Sequence, residues 1–510
     1  MDFKSKAVSD LLKNCNQLLI NVLLRGLLSK HNFYKSLILV APTNILMITK
    51  LGQKFTDGFT KYMPSAYVFA LLLTLLTCIL ALAFTDSKPI TILEGWYNGF
   101  WSLLAFGMQI VLIIITAYCI AQSSPVKKGI DYITKYIKTP TQVYVIIIAL
   151  GALLSLISFG MVVVTAILGR ELALRIKGIH YPFLVACVYF SFNGWVCGLS
   201  SSIALLLNTE NNFLIQEGIL NDTISTSYSL GANLNFAMII LFVVVSPILI
   251  WLLIPKSYKG KELKDLQTLL DDEESSVKDE ALSYKLPYKA LSDALNNAGW
   301  LQLTVAALGL IYIVYHFKTK GFDLNFNIMI FIFIVVGMLL HITPMRYSIA
   351  MKRASSNISG VLFQYPFYAG IMGIMLASGL GEKISDSLVS IATTENYAFI
   401  SYITGGVINF AIPSAGGEFA VIGPSIISMV QELGSSLSPT EITAMTARAS
   451  MSVAYGESLS NLLQPFFLLI VFPVMGKGIK IQARDIIGYL FIPFVVLFVI
   501  QALLVTYLPY

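Results

Sequence analysis

INFAIPSAGGEFAVIGPSI, residues 408–426, lies in an apolar stretch with no lysine or arginine from Asn396 to Leu433. Yet it holds Pro413 and Pro424, Gly416, Gly417 and Gly423, and one acid, Glu418. Glycine and proline interrupt the i to i−4 hydrogen-bond ladder and free backbone N–H and C=O groups. At membrane depth such backbone is tolerated only where it is buried in protein or lines a wet cavity. The stretch therefore reads as the tip of a helical hairpin, with Ser414, Gly416 and Gly417 presenting N–H donors and a helix starting at about Glu418. A helix N-terminus approached through small residues suits an anion such as a carboxylate. A plain structural turn, with glycines for close packing, is the rival reading. Glu418 also has two. A charged acid inside the membrane costs about 2.5–3.5 kcal/mol on insertion scales, which marks it as a proton carrier or cation ligand. Alternatively it caps its own helix.

The rest of the chain fits a membrane setting. Its 510 residues are 56% hydrophobic and only 12% charged, with mean hydropathy +0.76. A soluble domain carries about 25% charged residues. Apolar runs of helix-spanning length recur throughout, without the alternation of a membrane β-barrel, so the fold class is an all-α polytopic membrane protein. Nine spans are predicted, at about 64–84, 99–121, 181–207, 229–254, 298–316, 326–342, 359–378, 449–474 and 485–507. Two further apolar stretches, about 142–169 and 397–433, are each one long span or a hairpin of two half-spans. The net charge of +6 belongs to cytoplasmic loops rather than to a nucleic-acid partner. Cys15, Cys78, Cys119, Cys187 and Cys197 have no metal-ligand or disulfide-framework spacing. No metal and no bound cofactor is expected. His180, His316 and His341 fall near span ends and read as interfacial.

Lysine and arginine placement decides between span and hairpin. Lys50, Lys54 and Lys61 precede the first span, Lys88 follows it, and Lys127, Lys128, Lys135 and Lys138 follow the second. If 142–169 enters and returns, Arg170, Arg175 and Lys177 stay on the positive side with Arg346, Lys352, Arg353, Lys477, Lys480 and Arg484. Only Lys88, Lys318, Lys320, Lys383 and Arg448 then lie outside, provided 397–433 is also re-entrant, from the other face. The N-terminus is then inside and the C-terminus outside, in an inner (cytoplasmic) membrane. Two re-entrant hairpins of opposite entry point to an inverted-topology repeat, a design of secondary transporters.

Local similarity between the halves agrees. LLSLISFGMVVV (153–164) resembles GGVINFAIPSAGG (405–417), and GWVCGLSSSIALLL (194–207) resembles VAYGESLSNLLQPF (453–466). The domain reading follows: a first half 47–254 with its hairpin at about 142–169, a solvated cytoplasmic linker 255–297, and a second half 298–510 with its hairpin at about 397–433. Residues 1–46 mix lysines with leucine clusters. They are either an interfacial amphipathic helix or an over-extended reading frame whose start is Met47, and the second is favoured because the similarity described below begins there.

Polar groups inside these spans are the candidate site. Phe159 and Gly160 mark the first hairpin tip. Asn193, Gly194, Ser200, Ser201 and Ser202 interrupt the following span, which reads as a discontinuous helix. In the second half Asn409, Ser414, Gly416 and Gly417 belong to the tip, and Tyr455, Ser458 and Asn461 to the polar knot after it. At helical spacing Glu457, Asn461 and Gln464 share one face, which lines a cavity or a helix contact. Glu418 and Glu457 are the candidates for a coupling ion. Pro366, within FQYPFYAGIM (363–372), predicts a kinked span.

GFWSLLAFGMQ (99–109), LLHITPMRY (339–347), QYPFYAGI (364–371), INFAIPSAGGEFAVIGP (408–424) and AYGE (454–457) resemble the short-chain fatty acid transporter family, from near Met47 to the C-terminus. The resemblance implies acetoacetate- and butyrate-sized carboxylates as substrates, and kinship with elevator-type ion transporters built from inverted repeats. Those are often dimeric, so it also implies a homodimer. One position departs: the residue after the hairpin glycines, often histidine in the family, is Glu418. An acid there repels an anion unless it is protonated or cation-paired. Drawing one anion inward against an inside-negative potential costs about 2.3 kcal/mol per 100 mV, so accumulation implies symport with H+ or Na+, or exchange. The rivals are another organic anion such as a dicarboxylate, a membrane-embedded enzyme, for which no HExxH or convincing nucleophile–base set occurs, and a passive channel.

Overall fold

A computed structural model describes residues 64–509 apart from 103, 210–211, 217, 256–260, 268–275, 287, 289, 322–325 and 356–357. The expectation for residues 1–46 lies outside them. The described residues are helical almost throughout, an all-α polytopic membrane fold. Seven helices are long and apolar enough to cross a bilayer, or eight if one bent pair counts as a single span.

The first helices are α1 (Ala66–Phe84), α2 (Pro89–Ser102), α3 (Leu104–Gln122) and α4 (Ser124–Thr134). Thr139 then starts α5 (Pro140–Ile157) with a capping box, its hydroxyl accepting from the Gln142 N–H while the Gln142 side chain accepts from the Thr139 N–H. A short break at 158–160 leads to α6 (Met161–Arg175), which packs back on α5. Next comes α7 (Tyr181–Ser191), which runs into a 3-10 segment, Phe192–Cys197, and resumes as α8 (Ser202–Leu207). A further span is α9 (Asn233–Ile240) and α10 (Ser246–Leu253), joined through a π-helical turn at Leu241–Val245.

The order recurs later in the chain. After α11 (Gly299–Lys320), α12 (Phe326–His341), α13 (Pro344–Ala354), α14 (Ser359–Ser378) and α15 (Leu380–Val389) come α16 (Tyr397–Ile408) and α17 (Ala415–Leu433), separated by a break at 409–414. Then α18 (Pro439–Ser460) passes into a 3-10 turn, Asn461–Leu463, and resumes as α19 (Leu468–Met475), bent by 46°. The last helix is α20 (Arg484–Tyr507). A helix pair joined at a break, a span interrupted by 3-10 structure and a long apolar helix thus follow one another in both parts. Pro366 lies inside the continuous helix α14, where it removes one ladder N–H.

Glycines bring backbones together at three places. A Cβ at Gly99 would fall 2.5 Å from the Gly373 Cα, so α2 and α14 touch main chain to main chain. At Gly456 it would strike the Tyr402 carbonyl, and at Gly405 it would lie 2.5 Å from the Val453 carbonyl, which joins α16 to α18. At Gly198 it would strike the Leu156 carbonyl, where the first interrupted span meets α5. Large side chains of α1 and α11, such as Leu75, Ile79, Leu308 and Ile311, face outward, as lipid contact requires.

Within the linker three short helices are described, Leu263–Leu266, Val277–Ser283 and Leu291–Asn296. It is docked rather than free. The Tyr181 N–H donates to the Lys261 carbonyl, the Lys480 N–H to Leu266, and Arg353 pairs with Glu280. The three histidines are buried by protein. His180 caps α7 by accepting from the Phe183 N–H, His341 Nε2 meets the Cys119 carbonyl, and His316 is covered on α11.

Candidate functional site

Each helix break is tied to the interruption in the span that follows it. In the first part, the Leu199 N–H donates to the Leu156 carbonyl at 2.8 Å, and the Phe159 N–H donates to Ser200 Oγ at 2.9 Å. In the second, Asn409 Nδ2 donates to the Glu457 carbonyl at 3.0 Å, to Ser460 Oγ at 2.7 Å and to Asn461 Oδ1 at 2.7 Å. Gln464 Nε2 closes the ring, donating to the Asn409 carbonyl and to Asn461 Oδ1. Broken helices leave carbonyl and N–H groups without ladder partners, and these contacts use them.

The two knots also meet each other. Ser458 Oγ donates to the Asn193 carbonyl at 2.6 Å. Tyr455 donates to Asn235 Oδ1, and Asn235 Nδ2 donates to the Cys197 carbonyl. Tyr189 donates to the Asn461 carbonyl at 2.7 Å. Asn193, Ser200, Asn409, Tyr455, Ser458, Asn461 and Phe159, far apart in sequence, therefore form one buried polar region. Gly194 faces Ser155 Oγ, and Gly160 starts α6 against the Ile113 side chain.

Other expected residues stand apart from that network. Ser414 is the N-cap of α17 with extended backbone and no side-chain capping bond. No described hydrogen bond joins Ser414, Gly416 or Gly417 to the Asn409 ring. A Cβ at Gly416 would meet nothing within 4 Å, so the first turn of α17 is open on that side. Ser201 is fully buried with its hydroxyl unpaired, while Ser202 begins α8 and is half-buried.

Two expectations need correction. The helix after the second tip begins at Ala415, not at Glu418, because the chain is already extended at Ser414 and the Glu418 N–H donates to the Ser414 carbonyl. Glu418 thus sits one turn inside α17, and neither of its oxygens accepts an N–H, so it does not cap the helix. Glu457, Asn461 and Gln464 do not lie along one regular helix face either. α18 ends at Ser460, and the 3-10 turn brings Gln464 back onto Asn461 at 2.8 Å.

Glu418 and Glu457 are both fully buried, and none of their four carboxylate oxygens has a hydrogen-bond donor. Among the described residues no ion pair neutralises them. The buried Arg170 instead donates to the carbonyls of Val474, Met475 and Lys477, and Arg448 donates to those of Val505 and Thr506.

Rings cover the first knot. Phe159 contacts Phe192, Trp195 and Phe467, with centroids 4.7, 5.3 and 5.2 Å away. Phe466 extends the cluster to Tyr365 and Tyr368 of α14. Trp195, Phe192, Tyr189, Tyr368, Asn235, Phe466 and Phe467 were not among the expected binding residues. A bulky side chain with a polar tip between Gly194 and Gly198 was the available signal for Trp195. Tyr368 and Phe466 meet only through tertiary folding.

A sequence profile described as short chain fatty acid transporter matches residues 47–508. A protein of Haemophilus influenzae, provisionally named a short-chain fatty acid transporter, is 33% identical over 449 residues, covering 87% of this chain and 96% of its own. One of Escherichia coli with the same provisional name is 34% identical over 445 residues, with the same two shares, 87% and 96%. A solved structure of MtrF from Neisseria gonorrhoeae, described as illuminating a class of antimetabolite efflux pumps, is 14% identical, covers 89% of this chain and 96% of that one, and has a TM-score of 0.39, too low to carry an argument. With a profile match over residues 47–508 and two relatives above 30% identity, the chain belongs to the short-chain fatty acid transporter family, and is a membrane transporter rather than an enzyme.

Proposed function

We propose that this transporter carries short-chain fatty acids of the acetoacetate and butyrate class across the cytoplasmic membrane, by symport with H+ or Na+ and with alternating access. One observation carries the reading. At the first interruption Asn193 Nδ2, Trp195 Nε1 and Ser201 Oγ are buried donors without acceptors, beside the rings of Phe159, Phe192 and Phe467. Unpaired buried donors suit a carboxylate, and rings suit a tail of two or three carbons. The open first turn of α17 at Gly416, with Gly417, offers further N–H donors, while the Ser414 N–H is taken by the Ile412 carbonyl. The provisional names of the two relatives support the same substrate class.

The recurring element order, and the tie between each tip and the break after it, support an inverted-topology repeat of 47–254 and 298–510 about the linker 255–297. In it α5–α6 and α16–α17 are the re-entrant hairpins. The lysine and arginine distribution supports an inner-membrane protein with its N-terminus inside and its C-terminus outside. Elevator-type movement in a homodimer is the matching mechanism. Glu418 and Glu457 are the coupling groups, since a buried carboxylate without a donor needs a proton or a cation.

The test is uptake of radiolabelled butyrate into proteoliposomes under separately imposed proton and sodium gradients. Uptake driven by either gradient is expected. Uptake indifferent to both sinks the symport. Succinate in place of butyrate tests the rival reading, which brings a second negative charge beside two acids.

A further inference from the structure

The amide orientations of the second knot leave a definite remainder. Asn409 Nδ2 faces the Glu457 carbonyl and Gln464 Nε2 faces the Asn409 carbonyl. A backbone carbonyl only accepts, so both amides are fixed with nitrogen inward. Asn461 must then turn Oδ1 toward them, because two nitrogens converge on it at 2.7 and 2.8 Å. What remains unpaired is Asn409 Oδ1, Gln464 Oε1 and both carboxylates, Glu418 and Glu457. Against these six oxygens the same five side chains leave one unpaired donor, Asn461 Nδ2. All five side chains are at most 1% exposed.

A proton satisfies too few of them. It neutralises one carboxylate and, as an O–H, reaches one further acceptor. A metal ion takes several oxygens at once and leaves none of them facing only other acceptors. The donor set is wholly oxygen, amide and carboxylate, which selects a hard ion. No group of three or more His, Cys, Asp or Glu that could hold a metal occurs among the described residues, and Mg2+ sheds its water reluctantly, so a monovalent ion is favoured. The helices that carry the knot, α16 and α18, meet main chain to main chain at Gly405 and Gly456, which favours the smaller of the common ones.

We infer that Glu457, with Asn409 Oδ1 and Gln464 Oε1, binds a dehydrated Na+, with Glu418 from α17 completing or closing the site. What the site is for rests on the transport reading: the acceptor-rich second knot would hold the cation and the donor-rich first knot the substrate carboxylate, joined through Ser458 and Asn193. Charge complementarity then makes each ligand favour the other.

The experiment needs neither substrate nor gradient. The purified protein in detergent is melted with increasing NaCl at constant ionic strength, choline chloride making up the difference, and again with KCl. A ligand that binds only the folded state raises the melting temperature saturably. A saturable rise with Na+, absent with K+ and lost in both Glu457→Gln and Gln464→Met, is expected. An equal response to Na+, K+ and choline, or a Na+ response retained in both variants, would overturn the site. If one variant fails to fold, the Na+–K+ comparison on the unaltered protein still decides. A Na+ response without butyrate uptake under any gradient supports the site and removes the transport reading. Proton-driven uptake without a Na+ response removes the site and leaves the transport reading standing.

Discussion

Ser458 Oγ lies 2.6 Å from the carbonyl oxygen of Asn193, so one hydroxyl joins the interruptions of two spans separated by more than half of the chain. Both residues are at most 1% exposed. Ser458→Ala removes this bond from a buried carbonyl of the 3-10 segment, at a cost of about 0.5–1.5 kcal/mol. The expected outcome is a lowered melting temperature in detergent together with a loss of butyrate uptake larger than the loss of folded protein. Ser458→Thr, which keeps the hydroxyl, is expected to retain more of both.

Gly456 and Gly416 differ in what surrounds them. A methyl at Gly456 runs into the Tyr402 carbonyl, which is backbone and has no rotamer to change. Gly456→Ala is expected to destabilise by about 1–3 kcal/mol or more. Gly416→Ala meets nothing within 4 Å and is expected to melt like the unaltered protein. If substrate approaches the first turn of α17, Gly416→Ala instead raises the KM for butyrate uptake, and an unchanged KM removes that approach.

Arg170 of α6 holds the C-terminal end of α19, with Nη1 on Val474 and Met475 and Nη2 on Lys477. Charge-assisted bonds to helix-end carbonyls are the strong kind. Arg170→Ala is expected to cost on the order of 3 kcal/mol, read as a melting temperature. Arg170→Lys keeps the charge but not the planar fork, and should recover only part of it. Full recovery by lysine would show that charge alone mattered.

His180, just before α7, is held to about 4, first by burial and then by the charge of Lys261. An unfolded histidine titrates at about 6.5. The imidazole is therefore neutral in the folded chain over a range where the unfolded chain binds a proton. Its contribution is fully present above about pH 6.5 and is lost as pH falls from there through about 4, by at most about 3 kcal/mol. Melting temperatures across that window are expected to fall more steeply for the unaltered protein than for His180→Asn, whose side chain can still accept from the Phe183 N–H.

Much of this was legible because breaking a helix in an apolar run takes special residues. Pro413, Gly416 and Gly417 mark the second tip, and Asn193, Gly194 and the serines 200–202 the first interruption. Local signals end there. The start of α17 was misjudged because Ser414 is a weaker flag than Glu418, although its extended backbone is what begins the helix. The Glu457–Asn461–Gln464 grouping assumed a regular helix where the chain changes to 3-10 geometry. Arg170 reaching Val474, or Tyr368 meeting Phe466, are encounters across long stretches of sequence, and no local pattern carries them.

Helices that meet through side chains retain some compliance, since each rotamer change lets one slide a little past the other. Where Gly99 meets Gly373 and Gly456 meets Tyr402, main chain lies against main chain and that play is gone. The glycines therefore set the stiffness of the molecule. α2 with α14 is one inelastic strut, and α16 with α18 is another. A displacement of α16 would therefore carry α18 with it, and any yielding would fall between the struts.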